Sequence, residues 1–149
     1  MAKIRRILHP TDFSSASRPA FDRALAMARE SRAELSLLHV IAPVIPVVGE
    51  GYIPPQTYES IETAARKSAQ KKLDALADRA RKASVRARTQ LAEGSAHERI
   101  LAAARSPRAD LIVMGTHGRS GLARLIIGSV ASRVVSGASC PVMTVPSRR

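Results

Sequence analysis

The chain has 149 residues, of which 45% are hydrophobic and 24% charged, with one cysteine and a formal net charge of +12. A chain of that length suits one domain spanning residues 1–149 and buries roughly 68–70% of its unfolded surface, so it needs neither a disulfide nor a metal to hold a core; no apolar run approaches the roughly 18 residues of a membrane span. The basic balance favours anionic partners, whether nucleotides, nucleic acid or acidic proteins, without choosing among them.

Residues 4–9 read as a short first strand, stopped by Pro10. Thr11 to Ser14 then form a turn. Ser17 is a good N-cap with Pro19 in the first helical turn, and Ala20, Phe21, Ala24, Leu25 and Ala28 recur at helical spacing, which predicts a helix over about 17–32. Residues 34–41 are a mostly apolar run of strand length, as expected of a strand covered on both faces. The stretch 42–56 carries Pro43, Pro46, Gly49, Gly51, Pro54 and Pro55 and is the one long irregular loop. A long helix over 57–83 follows, with Ile61, Ala65, Ala69, Leu73, Leu76 and Ala80 as its buried stripe. Residues 84–92 alternate like an edge strand. Ser95 and Glu98 have the spacing of a capping box, and Ile100, Leu101 and Ala104 continue as the buried face of a third helix closed by Pro107. Residues 110–114 are a central buried strand. Ser129 is expected to cap a last helix that ends at Gly137, and 142–145 form the last strand.

The alternation of strands and helices argues for an α/β fold, a doubly wound, Rossmann-like parallel sheet of five strands with helices on both faces. No internal repeat and no second domain are visible. In such sheets ligands sit beyond the carboxyl ends of the strands, where the strand order reverses. The segments that reach that end are Pro10-Thr11-Asp12, Val40-Ile41 and the chain from Met114 onward.

The last of these is the informative one. Gly115, Gly118, Gly121 and Gly128 punctuate the connection that ends in Ser129. Gly115 and Gly118 lack a Cβ, so the backbone can turn tightly and expose N–H groups. Gly128 and Ser129 open a helix, where free N–H groups and the helix dipole favour an anion. Arg119 and Arg124 are nearby cations. These parts suit a phosphate chain, and Gly128→Val is expected to block it with little loss of fold. The spacing matches neither the P-loop nor the dinucleotide fingerprint.

The pattern Gly115-x2-Gly118-x9-Gly128-Ser129 resembles the nucleotide-binding signature of the universal stress protein family. Ile7-Leu8-His9-Pro10-Thr11-Asp12-Phe13-Ser14 resembles that family's opening, Leu38-His39-Val40 its second strand and Cys140-Pro141-Val142 its last. The resemblance covers nearly the whole chain. It implies strand order 3-2-1-4-5 and membership of the ATP-binding branch. It places Asp12 and Val40 on the adenosine with Pro10 and Thr11 beside them, Met114, Gly115, Gly118 and Arg119 along the ribose and phosphates, and Gly128, Ser129 and Val130 at the phosphates. It also implies a homodimer through the last strand, about 140–146. The Pro-rich loop 42–56 is not part of the shared pattern.

The function these readings lead to is a stress-response module whose ATP occupancy regulates its conformation or its choice of partner. A slow ATPase or self-phosphorylating protein is the alternative in the enzyme class, with Ser120 and Ser129 near the expected γ-phosphate. Phosphoryl transfer wants a positioned metal and a base or water-orienting group, and no base stands out, so no catalytic residue is assigned. A basic adaptor for acidic partners or nucleic acid is the third reading. Nucleic acid is disfavoured because the basic helix lacks interleaved aromatics. His9, His39 and His117 show no metal-ligand spacing, so no protein metal site is assigned, and a Mg²⁺ or Mn²⁺ ion would ride on the phosphates. Cys140 lacks a basic partner and reads as structural. No membrane contact is expected, no signal-peptide pattern opens the chain, and the cytoplasm is the expected compartment.

Overall fold

The computed structural model describes residues 2–43, 51, 54–117 and 127–147. Its elements are β1 (Arg6–Pro10), α1 (Arg18–Ser31), β2 (Glu34–Ile41), α2 (Pro55–Lys82), β3 (Ala87–Glu93), α3 (Ala96–Arg105), β4 (Leu111–Gly115), α4 (Ser129–Gly137) and β5 (Val142–Val145). The strands form one parallel sheet in the order β3-β2-β1-β4-β5, as the resemblance implies.

Strand pleating sends successive side chains to opposite faces, and the two faces carry separate cores. Ile7, Leu35, Leu37, Leu111 and Val113 pack with Phe21, Ala24 and Ala28 of α1 and Leu73, Ala77 and Ala80 of α2. Leu8, Leu38, Ile112 and Met114 pack with Ile100, Ala103 and Ala104 of α3 and Ala131 and Val134 of α4. The helices meet the sheet largely through alanine, which lets their backbones come close and leaves the strands' branched side chains to fill the gap.

Several element ends differ from the sequence expectation. Pro10 ends β1 from inside it, as its last residue, still in register with Leu38 of β2. α1 closes at Arg32 with φ 57°, a left-handed cap made without glycine, its N–H reaching the carbonyls of Ala28 and Arg29. Ser95 precedes α3 as expected, but its Oγ pairs with His97 Nδ1 at 3.1 Å and caps no backbone amide. α4 begins one residue later than expected: Gly128 is the N-cap and Ser129 the first helical residue.

α2 departs furthest. Its buried residues are Ala69, Leu73, Ala77 and Ala80, whereas Ile61, expected in the stripe, is 46% exposed. Twenty-eight residues make a helix about 42 Å long, against about 23 Å for the seven-residue β3. Arg66 pairs with Glu93, the last residue of β3. The first turns of α2 therefore overhang the carboxyl end of the sheet, where there is no strand for Ile61 to cover.

Two polar side chains tie β1 to β4. The Asp110 carboxylate accepts from the N–H groups of Arg5 at 2.8 Å and Arg6 at 3.0 Å. These two bonds, led by that of Arg5, hold its carboxyl below the usual carboxylate range. At the other end of the strand His9 is fully buried, its ring 5.8 Å from that of Phe21. Its Nδ1–H donates to the Val113 carbonyl at 2.8 Å. Burial holds the imidazole down from 6.5 to about 4, against the opposing pull of the Val113 carbonyl and the Asp12 charge.

Leu73→Ala should lower the unfolding free energy by about 2–5 kcal/mol, while Ile61→Ala should stay within about 0.5 kcal/mol; urea denaturation of both variants checks where α2 is anchored. His9 is neutral in the fold but takes up a proton when unfolded, so stability should fall as pH drops from about 6.5 to about 4, by up to about one proton's worth of slope. In His9→Gln, which keeps an N–H donor, that component should be missing; a pH series of denaturation curves identical for the two proteins would show that His9 is not its source.

Candidate functional site

At the carboxyl end of the sheet, β2 and β3 lie on one side of β1 and β4 and β5 on the other. Loops leaving β1 and β4 part in opposite directions there and leave a crevice. It holds a cavity of about 250 Å³ on the α3–α4 face. Pro10, Thr11 and Asp12 line it from β1, Val40 from β2, Met114 and Gly115 from β4, and Gly128, Ser129 and Val130 from the start of α4. These are nine of the eleven residues expected at the site. The other two, Gly118 and Arg119, lie outside the described residues, as do Ser120, Gly121 and Arg124.

The turn after β1 is tightly built. Asp12 Oδ1 accepts from Ser14 N–H at 2.9 Å, and Thr11 Oγ1 accepts from Phe13 N–H at 3.0 Å. Asp12 therefore does the turn-forming work common for this residue type while also facing the cavity. Thr11 Oγ1 lies 3.3 Å from Ser17 Oγ, which donates to the Ser14 carbonyl. The Thr11 N–H in turn bonds the Leu38 carbonyl, so the turn is sewn to β2.

The glycine-punctuated connection is fixed at its base. Thr116 N–H donates to the Val145 carbonyl at 3.2 Å, and Gly128 N–H donates to the Thr116 carbonyl at 2.7 Å. A Cβ on Gly128 would lie 2.9 Å from that same carbonyl oxygen. Glycine is thus required by the close approach of two backbones, and Gly128→Val would not leave the fold untouched, contrary to the expectation from sequence. At Gly115 a Cβ would meet its neighbours at 3.5 Å or more, an ordinary contact, so glycine is not demanded there. The first α4 bond runs from Ser132 N–H to the Gly128 carbonyl. The amides of Ser129, Val130 and Ala131 stand ahead of it, as at any helix start.

The cavity has two unlike ends. Toward β2 and α3 its walls are Leu38, Val40, Ala96 and Ile100; toward β4 and α4 they are Thr116, His117, Gly128 and Ser129. His117 Nδ1 is 3.0 Å from Thr116 Oγ1, and its buried Nε2 has no partner among the described residues. His39 Nδ1 bonds the Thr11 carbonyl at 2.8 Å, and its ring stacks on Phe13 with centroids 4.4 Å apart. His39 and His117 share the cavity; His9 does not, because it follows Ile7 onto the opposite face. Among the described residues no three His, Cys, Asp or Glu side chains gather as a metal site would require. No helix of the described residues is long and apolar enough to cross a membrane.

Sequence reasoning missed Ser17, Leu38, Ala96, Ile100, Thr116 and Ala131 as lining residues. For Leu38 the signal was present, since it shares a strand face with Val40. For Ala96 it was its place at a helix start on the same end of the sheet.

The family model described as the Universal stress protein family matches residues 3–146. The chain belongs to the universal stress protein family. It is 35% identical over 143 residues to universal stress protein MJ0531 of Methanocaldococcus jannaschii, covering 95% of this chain and 81% of that one. The solved structure of MJ0577 from the same organism superposes with a TM-score of 0.80 at 25% identity over 99% of both chains. A universal stress protein solved in complex with cAMP has the same fold, with a TM-score of 0.73 at 23% identity over 99% of this chain and 100% of that one.

Gly128→Val should lower stability by about 1–3 kcal/mol, because the clash is with backbone rather than with a movable side chain. Gly115→Ala should change it by less than about 1 kcal/mol. Thermal melts of both variants test this, and equal melting points would mean that the Gly128–Thr116 contact does not hold the base of the loop.

Proposed function

We propose that this cavity binds ATP and that its occupancy regulates the protein's conformation or its association with partners. The observation that carries the reading is the convergence of β1, β2, β4 and the amino end of α4 on one crevice with an apolar end and an amide-rich end. A flat base fits between Val40, Leu38 and Ile100, and Asp12 stands beside it as an acceptor for ribose or base. The open amides of Ser129, Val130 and Ala131 suit phosphate oxygens. His117 Nε2, buried and unmatched among the described residues, is a further donor for that end. Gly118 and Arg119 would complete the phosphate side from the connection, and a Mg²⁺ or Mn²⁺ ion would be carried by the phosphates. The cAMP complex of a protein with this fold agrees with an adenine ligand.

The reading is of a binding module in the cytoplasm, without turnover. Among the described residues the one carboxylate that lines the cavity, Asp12, belongs to the β1 turn on the base side, away from the α4 amides that would hold the phosphates. Regulation has a direct mechanical route: α4 packs through Ala131 and Val134 in the same cluster as Val142 of β5. β5 is an edge strand paired only with β4, and we assign the homodimer contact to it. A ligand held at the start of α4 therefore bears on the dimer edge.

Calorimetric titration of ATP with Mg²⁺ into nucleotide-stripped protein should give saturable binding. Val40→Trp, which fills the base end, should weaken it by at least about 10-fold, or about 1.4 kcal/mol. Phosphate release should stay at background, and sedimentation of the same samples should show a dimer. Absence of binding at millimolar ATP would sink the nucleotide reading, and unchanged affinity in Val40→Trp would move the ligand out of this cavity.

A further inference from the structure

On the opposite face of β1 a second recess of about 580 Å³ opens between α1 and α2. Its walls differ in kind from those of the first. Half-buried Phe13 gives it aromatic surface above the buried Phe21, and Arg18, Lys72 and Arg79 ring it with cations against, among the described residues, the single carboxylate of Asp22. Lys72 Nζ lies 5.5 Å from the Phe13 ring centroid and the Arg79 guanidinium 4.9 Å from that of Phe21. Arg79 also reaches Asp22 at 3.5 Å, but both side chains are more than half exposed, so this pair is weakly held. The cations thus stand over the rings with donor capacity to spare.

Ser14 lines the same recess, and its buried Oγ has no hydrogen-bond partner among the described residues. Buried hydroxyls in folded proteins nearly always have one. Phe13 adds a second irregularity: its φ of 65° lies in the left-handed region, which is uncommon for a bulky residue. Bonds from Phe13 N–H to Thr11 Oγ1 and from Ser14 N–H to Asp12 Oδ1 hold it there. That conformation sets the Phe13 ring between His39 and Lys72.

We propose that the α1–α2 recess is a second binding site, for a small organic anion with a flat apolar body, of the kind of an aryl phosphate or aromatic carboxylate. Phe13 receives the body, Lys72, Arg79 and Arg18 hold the anionic group, and Ser14 Oγ supplies a hydroxyl donor. The volume is that of a small-molecule site. An acidic peptide would use the cations but would have no need of the aromatic surface between them.

Phenyl phosphate is a suitable probe, followed by amide shifts of isotope-labelled protein with and without saturating ATP. The expected result is saturable shifts at Phe21, Ala75 and Leu76, which border only this recess, under both conditions. Affinity should fall at least 10-fold in Lys72→Ala/Arg79→Ala, and also in the milder Lys72→Gln/Arg79→Gln should the first variant lose its fold. Benzyl alcohol, with the ring but no charge, should shift these amides far less. Shifts confined to 114–117 and 128–131 would mean that the probe enters only the first cavity. That outcome, no shift at millimolar phenyl phosphate, or undiminished affinity in the folded double variant would each overturn the proposal. Because separate amides report the two recesses, failure of ATP binding would be seen independently of this result.

Discussion

The site rests on how little holds β1 to β4. The β1–β2 ladder pairs five positions, but β1 and β4 pair only Ile7 with Leu111 and Leu8 with Ile112. Pro10 has no N–H with which to carry the ladder further, so the two strands are free to part at their carboxyl ends. A parting of this kind inside a sheet leaves buried carbonyls that must find other donors. His9 supplies one: its side chain crosses to the Val113 carbonyl in place of a backbone amide. At the amino end of the same seam the Asp110 carboxylate bonds the amides of Arg5 and Arg6. Side chains thus close the seam at both ends of a ladder too short to do so alone, and the crevice opens just past His9.

His9 also accounts for the acid sensitivity expected of the molecule. Its neutrality is not incidental, because a charged imidazole in the α1–α2 core would sit against Phe21 with only the Val113 carbonyl and the more distant Asp12 to balance it. The crevice and the core beneath it therefore depend on one uncharged donor.

Much of this was legible in the sequence, for identifiable reasons. β2 and β5 fall where expected because Glu34–Ile41 and Val142–Val145 are β-branched and leucine-rich runs with clear breaks on either side. The site residues Pro10 to Asp12, Val40, Met114, Gly115 and Gly128 to Val130 lie at strand ends or a helix start, which the topology alone sends to one end of the sheet. What could not be read was set by contacts across the chain. Ile61 fits the periodic stripe of α2, but periodicity carries no information on where the sheet stops. Pro10 reads as a breaker and does end β1, but as its last residue rather than the one after it. The need for glycine at 128 rather than 115 depends on the Thr116 carbonyl, twelve residues away, and no local pattern shows it. Phe13 reads as a turn residue and Phe21 as part of the α1 stripe; that α2 brings Lys72 and Arg79 over their rings is a matter of helix placement.

The net charge of +12 takes on a different meaning once its residues are placed. Counted along the chain it suggests a polyanion, but several of the described cations are held locally by their neighbours. Arg66 is paired with Glu93, Arg88 lies near Glu34, and Arg79 and Lys72 are drawn over aromatic rings. Charge held in short pairs and over rings has a limited reach in salt, so it acts on what comes close to it, as in a recess. The turn from Thr11 to Ser14 sits between two such recesses: Thr11 and Ser17 border both, and Phe13 is stacked on His39 of one while it forms a wall of the other. Any rearrangement of that turn changes the shape of both at once. The short seam between β1 and β4 thus creates the crevice and also leaves the turn after β1 as the partition between the two faces of the sheet.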